Sequence, residues 1–327
     1  MTPLLEIRDL HVQFRIFEGE LKVLNGVDMV IGEGEKVGLV GETGCGKTTT
    51  VKSVLRVLPI PPARISGGEI LYRGKDVLKM KPAEMRSLRK GEMSAIFQDP
   101  LAALNPVFTI GHQLHDVIKY SSAARGRVHM SKKEIRARSI AVLRETGMPD
   151  PERILSNYPM QLSGGMRQRV CISEALSAAA TLLMADEPTT NLDVTIQAQI
   201  LRQMNELVAK RQPSILLISH SLGVVRNLTQ RVYIMYAGNV VEVARTKDLF
   251  TDPSHPYTKA LLNSVPKLTG EGISQGIRGR IPNYLEPPGG CRFHPRCDHA
   301  MPICEKERPG LFTVGDNHEV ACFLHRR

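Results

Sequence analysis

The segment Gly41-Glu42-Thr43-Gly44-Cys45-Gly46-Lys47-Thr48 limits what this chain can fold into more than any other. Two glycines with four residues between them, followed at once by Lys and Thr, match the pattern of a phosphate-binding loop. The glycines let successive backbone N–H groups curl around phosphate oxygens, and a helix starting there aims its positive end at the same anion. The flanks agree. Glu35 to Val40 reads as a strand, and Thr48 to Leu58 carries apolar residues at helical spacing, namely Val51, Val54, Leu55 and Leu58. Lys47 would reach the β- and γ-phosphates of a nucleotide and Thr48 would offer a hydroxyl to Mg²⁺, with Gly41, Gly44, Cys45, Gly46 and Thr49 completing the cradle. A plain strand-to-helix turn needs neither Lys47 nor Thr48.

The surrounding sequence predicts an α/β chain. Leu5, Ile7, Leu10, Val12 and Phe14 alternate with polar residues over Leu4 to Arg15, as in a half-buried strand, and a second strand follows at Lys22 to Ile31. Short apolar strands at Thr181 to Ala185, Ser214 to Ser219 and Arg231 to Ala237 are separated by helical tracts near Val194 to Lys210 and Leu222 to Leu228, which argues for a mainly parallel sheet. Residues about 100–180 lack β-branched runs and hold helical tracts such as Ser131 to Thr146, so a helical subdomain is expected as an insertion. Past His255, Gly276, Gly279, Pro282, Pro287, Pro288, Gly289 and Gly290 mark a loop-rich tail. With 327 residues and about 150 per domain, the economical division is a cassette over 1–254 and a C-terminal extension over 255–327. Apolar residues at 42% and charged residues at 23% exclude wholesale disorder. No apolar run approaches the ~18 residues of a membrane span, and Glu6 and Asp9 stand where a signal peptide needs an apolar core, so a cytoplasmic chain is expected. The net charge of +10 favours anionic partners, although the cations are scattered and charge alone names none.

Three further groups carry chemistry. The apolar strand ending Leu182-Leu183-Met184-Ala185-Asp186-Glu187 closes on two acids; Asp186 would hold Mg²⁺ through its shell and Glu187 would act as general base for a water. Ser163-Gly164-Gly165 opens a run of helix formers, an N-cap with a bare backbone and a second potential anion site. Four cysteines, Cys291, Cys297, Cys304 and Cys322, are separated by five, six and seventeen residues. Disulfides do not suit a reducing cytoplasm. The thiolates could bind Zn²⁺ or an iron–sulfur cluster; the Cys-x-x-Cys pairs of zinc knuckles are missing, and the wider spacing leaves room for a bulkier centre. A cluster, zinc and no metal all stay open.

Leu162-Ser163-Gly164-Gly165-Met166-Arg167-Gln168-Arg169, placed 23 residues before Asp186, resembles the signature of the ATP-binding cassette (ABC) family. Gln98 resembles its Q-loop, Asn191-Leu192-Asp193 its D-loop and His220 its switch histidine, and Phe14 is spaced like the aromatic that stacks on adenine. The resemblance implies a P-loop NTPase (RecA-like) nucleotide-binding domain with an N-terminal antiparallel β subdomain, an inserted helical subdomain and a small C-terminal cysteine domain. It implies an ATPase in which two cassettes close head to tail, so that Ser163, Gly164 and Gly165 of one serve the ATP held by the other. Gln98 would sense Mg²⁺ and the lytic water, and His220 would contact the γ-phosphate. Two departures are visible: Ser221 stands where the family usually has an acid, and Cys45 where it often has Ser.

Asp99-Pro100, Leu104-Asn105-Pro106, Tyr158-Pro159, Met235-Tyr236-Ala237-Gly238, His255-Pro256-Tyr257-Thr258 and the tail Pro287-Pro288-Gly289-Gly290-Cys291-Arg292-Phe293 with Arg296-Cys297 resemble the oligopeptide and dipeptide importer ATPases. That likeness implies peripheral attachment at the cytoplasmic face of the membrane. The implied partners are a second ATPase subunit, identical or paralogous, two membrane permeases and a solute-binding protein, with no nucleic acid. Nickel and oligosaccharide importers share the cassette type. In some related ATPases the tail holds a four-iron [4Fe-4S] cluster. The competing reading is a soluble cassette ATPase in DNA repair, translation or cofactor assembly. The repair type needs a long coiled coil between Gln98 and Ser163, which are only 65 positions apart, and the common translation type carries two signatures in one chain.

Overall fold

A computed structural model describes residues 3–124, 126, 130–178, 180–189, 193–264 and 276–326. The chain opens with β1 (Pro3–Ile16), β2 (Gly19–Gly32), β3 (Lys36–Val40), α1 (Lys47–Val54), β4 (Ala63–Tyr72) and β5 (Lys75–Asp76). It continues through α2 (Pro82–Gly91), β6 (Met93–Ile96), α3 (Pro100–Ala103), α4 (Ile110–Ala124), α5 (Lys132–Glu145), α6 (Pro151–Ile154), α7 (Gly164–Ser177), β7 (Leu182–Asp186), α8 (Val194–Arg211) and β8 (Ser214–Ile218). It closes with α9 (Leu222–Leu228), β9 (Arg231–Tyr236), β10 (Asn239–Arg245), α10 (Thr246–Thr251), α11 (Pro256–Asn263), α12 (Pro302–Lys306), β11 (Phe312–Gly315) and β12 (His318–Val320). Two compact units result, one of Met1–Gly32, Lys36–Leu78 and Ile218–Arg327, the other of Glu33–Glu35 and Lys79–Leu217. Among the described residues no helix is long and apolar enough to cross a membrane.

In the first unit β1 and β2 form a long antiparallel hairpin, and the sheet runs β2-β1-β4-β5. The buried side of β1 switches phase: Leu5 and Ile7 are buried, then Leu10 and Val12. A one-residue slip in a strand turns every later side chain to the other face, and a bulge restores the core face. The register breaks between Ile7 and Leu10, and Asp9 there takes a left-handed backbone with φ 46°. Gly68 opposite it has φ 86°, and a Cβ on it would lie 2.3 Å from the Asp9 carbonyl.

The same unit holds β3, paired in parallel with β9, followed outward by β10, β12 and β11, all antiparallel. The sequence predicts a mainly parallel sheet, and this half departs from it. Ala237 and Gly238 have φ of 42° and 79° between the paired residues Tyr236 and Asn239. Two consecutive positive-φ residues make a tight hairpin turn, which leaves no room for the crossover helix that a parallel neighbour requires. The C-terminal extension packs into this unit around three rings. Tyr236 lies 4.7 Å from Tyr257 and 5.0 Å from Phe293, and Phe293 is 5.4 Å from Tyr257.

The second unit has strands in the order β8-β7-β6, with β6 and β7 parallel, and the helices α2 to α8. β7 and β8 are buried along their whole length. α5 starts as the sequence predicts: Ser131 accepts from the Glu134 N–H, and Glu134 accepts from the Ser131 N–H at 2.6 Å. α4 buries Ile110, Leu114 and Ile118, one helical face.

Phe293→Ala should lower the unfolding free energy by about 3–5 kcal/mol, the range for deleting a buried aromatic ring, because only 3% of Phe293 is exposed. A fall in the urea midpoint at constant slope is the measurement.

Candidate active site

The predicted phosphate loop leaves the buried end of β3 and enters α1. At Gly41 an added Cβ would lie 2.1 Å from the Met235 carbonyl oxygen, so the loop backbone runs hard against the end of β9. Gly46 is the N-cap of α1 in a left-handed conformation, and no side chain caps the helix. The N–H groups of that first turn are therefore left for an incoming anion. Lys47 is buried, and its Nζ donates to the carbonyls of Gly41 at 2.7 Å and Glu42 at 3.0 Å. The ammonium is thus curled onto the loop it would leave to meet phosphate oxygens. Thr48 and Thr49 are half-buried at the helix mouth. Cys45 lies behind the loop, and burial pushes its thiol up against the opposing pull of Lys47.

The loop is also gripped from the C-terminal extension. The Glu42 N–H donates to Tyr257 Oη at 2.9 Å, and Tyr284 Oη donates to the Gly44 carbonyl at 2.8 Å. Arg296 forms a two-pronged ion pair with Glu42, Nη1 to Oε2 at 2.7 Å and Nη2 to Oε1 at 3.1 Å. The sequence shows none of these partners, since 215 to 254 residues separate them from the loop. His220 is exposed in the same unit just past β8, where the Ser221 N–H donates to Ser219 Oγ at 3.0 Å. Phe14 is half-buried on β1, opposite Leu21 and Ala63, near a hairpin tip where Phe17 is fully exposed.

In the second unit Gln98 and Glu187 meet, with Gln98 Nε2 donating to Glu187 Oε2 at 2.9 Å. Asp186 ends β7 buried, and Glu187 turns sharply with φ 49°. A left-handed backbone at a residue with a side chain is costly and is kept where a site requires the resulting direction. Gln168 on α7 donates to the Pro188 carbonyl at 2.6 Å and so ties α7 to this turn. Ser163 is the exposed N-cap of α7, its hydroxyl accepting from the Met166 N–H. With Gly164, Gly165 and Asp193 it borders a cavity of about 650 Å³. Asn191 and Leu192 of the expected D-loop lie outside the described residues. Thr48 in the first unit offers a hydroxyl, and Gln98 and Asp186 in the second offer an amide oxygen and a carboxylate; all three are hard oxygens of the kind Mg²⁺ prefers.

The four tail cysteines are free thiols gathered in one region of the first unit. The Cys291 N–H donates to the Cys304 carbonyl at 2.8 Å. Burial, with smaller contributions from the other three cysteines, pushes the Cys291 thiol up to about 11, and burial also raises Cys297 and Cys322. Among the described residues no three His, Cys, Asp or Glu side chains are arranged to hold a metal ion. The cysteines thus share a neighbourhood without forming a ready-made ligand set for either zinc or a cluster.

Comparison with known proteins bears on both halves of the chain. The ABC transporter family matches residues 24–190, and the family described as oligopeptide/dipeptide transporter, C-terminal region, matches residues 241–304. The chain is 43% identical over 325 residues to the dipeptide transport ATP-binding protein DppD of Bacillus subtilis (strain 168), covering 99% of this chain and 95% of that one. It is 42% identical over 327 residues to the oligopeptide transport ATP-binding protein OppD of the same organism, covering 99% and 89%. Among solved structures, a dimeric ATP-binding cassette in a post-hydrolysis state with ADP and Pi has a similar fold, with a TM-score of 0.65 at 23% identity over 74% of this chain and 98% of that one.

Gly41→Ala should weaken nucleotide binding by at least about tenfold, because a misplacement of an ångström at a binding loop has effects of that order or more. Titration of the purified chain with a fluorescent ATP analogue is the measurement.

Proposed function

The chain belongs to the ABC transporter ATPases, in their oligopeptide/dipeptide branch, and from that premise we propose which of its residues bind and hydrolyse ATP and what they drive. It is an ATP-hydrolysing subunit of a peptide importer. The observation that carries the site assignment is the buried Lys47 ammonium turned onto the Gly41 and Glu42 carbonyls ahead of an uncapped helix start. ATP would take the ammonium from those carbonyls through its β- and γ-phosphates, while the N–H groups around Gly44, Gly46, Thr48 and Thr49 close on the same oxygens. Phe14 would stack on adenine.

Thr48, Gln98 and Asp186 would hold Mg²⁺, which supplies charge neutralisation on the phosphates when bound. Glu187 would take the proton of the attacking water. The Gln98 amide, already bonded to Glu187 Oε2, keeps that carboxylate oriented. His220 would contact the γ-phosphate. Ser163, Gly164, Gly165 and Asp193 would act on the nucleotide of a second cassette, identical or paralogous, and their position around an open cavity supports this.

Leu101, Val107, Phe108, Tyr158 and Met160 are exposed apolar residues close in sequence to Gln98 or Ser163. They suit the cytoplasmic helices of two permease subunits, and such docking would hold the chain at the cytoplasmic face of the membrane, fed by a solute-binding protein outside. Peptides are the proposed cargo. The competing soluble-cassette reading has no support from the relatives, which are named as transport proteins.

Cys291, Cys297, Cys304 and Cys322 are proposed to share a [4Fe-4S] cluster. What supports this is four free cysteines within mutual electrostatic reach in an extension of little regular structure. When bound, the centre would link the segments that carry Cys291, Cys297, Cys304 and Cys322. Anaerobic purification should yield brown protein with iron and acid-labile sulfide, lost on Cys291→Ser; colourless protein without iron would remove this part of the proposal.

Glu187→Gln in the assembled transporter should keep ATP binding while hydrolysis and peptide uptake fall by roughly 10²- to 10⁴-fold, the contribution of a general base. Lys47→Ala should instead fail at binding. Near-normal turnover by the first variant or tight ATP binding by the second would refute the assignment.

A further inference from the structure

We propose that Arg296 is a positioning residue for nucleotide binding, acting through Glu42 to set the shape of the loop at residues 41–48. This inference rests on that loop being the ATP site.

Glu42 is held at every polar group it has. Its N–H donates to Tyr257 Oη, its carbonyl accepts from Lys47 Nζ, and both carboxylate oxygens take the fork of Arg296. One residue therefore stands between the extension and the lysine that would bind phosphate. A shift of the Glu42 side chain moves the carbonyl on which Lys47 rests.

Arg296 is built to hold still. Its side chain is 6% exposed, against 25% for Glu42. Nε donates to the Arg278 carbonyl at 2.5 Å, Nη1 to Glu42 and to Tyr236 Oη at 3.3 Å, and Nη2 to Glu42 and to the Ile277 carbonyl at 3.3 Å. Five guanidinium donors thus meet five acceptors, which is what a buried Arg needs. Its charge also stands 5.6 Å from the centre of the Tyr236 ring, and Tyr236 packs edge-on against buried Phe293.

An exposed ion pair with these partners would contribute little. A sheltered one is different, because removing either partner leaves the other charge without its counter-ion in a poor solvent, and the surroundings move to relieve it. The side free to move is the loop, where Thr43 and Gly44 are exposed, and not the ring core beneath Arg296. The consequence falls on ATP affinity more than on the chemical step, since the pair shapes the loop that carries Lys47, whereas the hydrolytic groups Gln98 and Glu187 are bonded to each other in the second unit.

The test is a double-mutant cycle in the full-length protein, reading ATP Kd on the purified chain and KM and kcat in the assembled transporter. Arg296→Ala and Glu42→Ala should each raise Kd and KM by about 5- to 50-fold, and the double variant should be no worse than either alone, as for partners in one network. Arg296→Lys should recover only part, since an ammonium cannot reproduce the fork. The fall in kcat should be smaller than the rise in KM. Additive losses, an unchanged KM in either single variant, or a loss confined to kcat would overturn the proposal. Should Arg296→Ala not fold, Glu42→Gln keeps the shape of the loop side chain and removes its charge; a wild-type KM in that variant would overturn the proposal equally. Lys47→Ala separates the two readings. If it binds ATP like the wild type, the loop is not the nucleotide site; if it loses ATP while the Arg296 and Glu42 variants keep wild-type affinity, only the positioning role fails.

Discussion

The first unit depends on how closely the backbone at Gly41 approaches the end of β9. There a peptide unit passes so near the Met235 carbonyl that no side chain fits between them, and this fixes where the loop departs from β3. With the departure fixed, the Gly238 N–H can donate to the Cys45 carbonyl at 2.9 Å, α1 begins at Lys47, and the ammonium finds two carbonyls within reach. A phosphate cradle is a set of directions more than a set of residues, and the directions come from this contact between neighbouring strands.

The groups that would cut a phosphate bond are organised by a separate device in the second unit. β7 is a fully buried strand, and its last residues turn abruptly so that Glu187 meets Gln98. α7 is bonded to the same turn through Gln168 and Pro188. The helix that presents Ser163 and the turn that presents Glu187 therefore form one packed piece.

What the sequence makes legible is local. The loop at 41–48, the strands around β1, β3, β7 and β8 and the start of α5 at Ser131 all follow from spacing or capping chemistry within a few residues. β10 is not foreseen, because the hairpin after Tyr236 depends on a left-handed Ala237, a residue type that gives no such signal. The bulge at Asp9 is hidden for a similar reason, since the apolar alternation changes phase without any Gly or Pro to mark it. Tyr257, Tyr284 and Arg296 are missed as loop partners because nothing in a linear pattern connects a tail to a loop more than 200 residues earlier. Gln98 and Glu187 are 89 residues apart, and only their resemblance to a known family suggests that they meet.

Cys45 stands inside the loop with its sulfur buried against Gly41 and 3.8 Å from the Lys47 ammonium. Since the thiolate is the reactive form, a buried thiol held protonated is a poor target for peroxide and for alkylating agents. The chain therefore carries a cysteine at the heart of its phosphate loop without making that loop a redox-sensitive element.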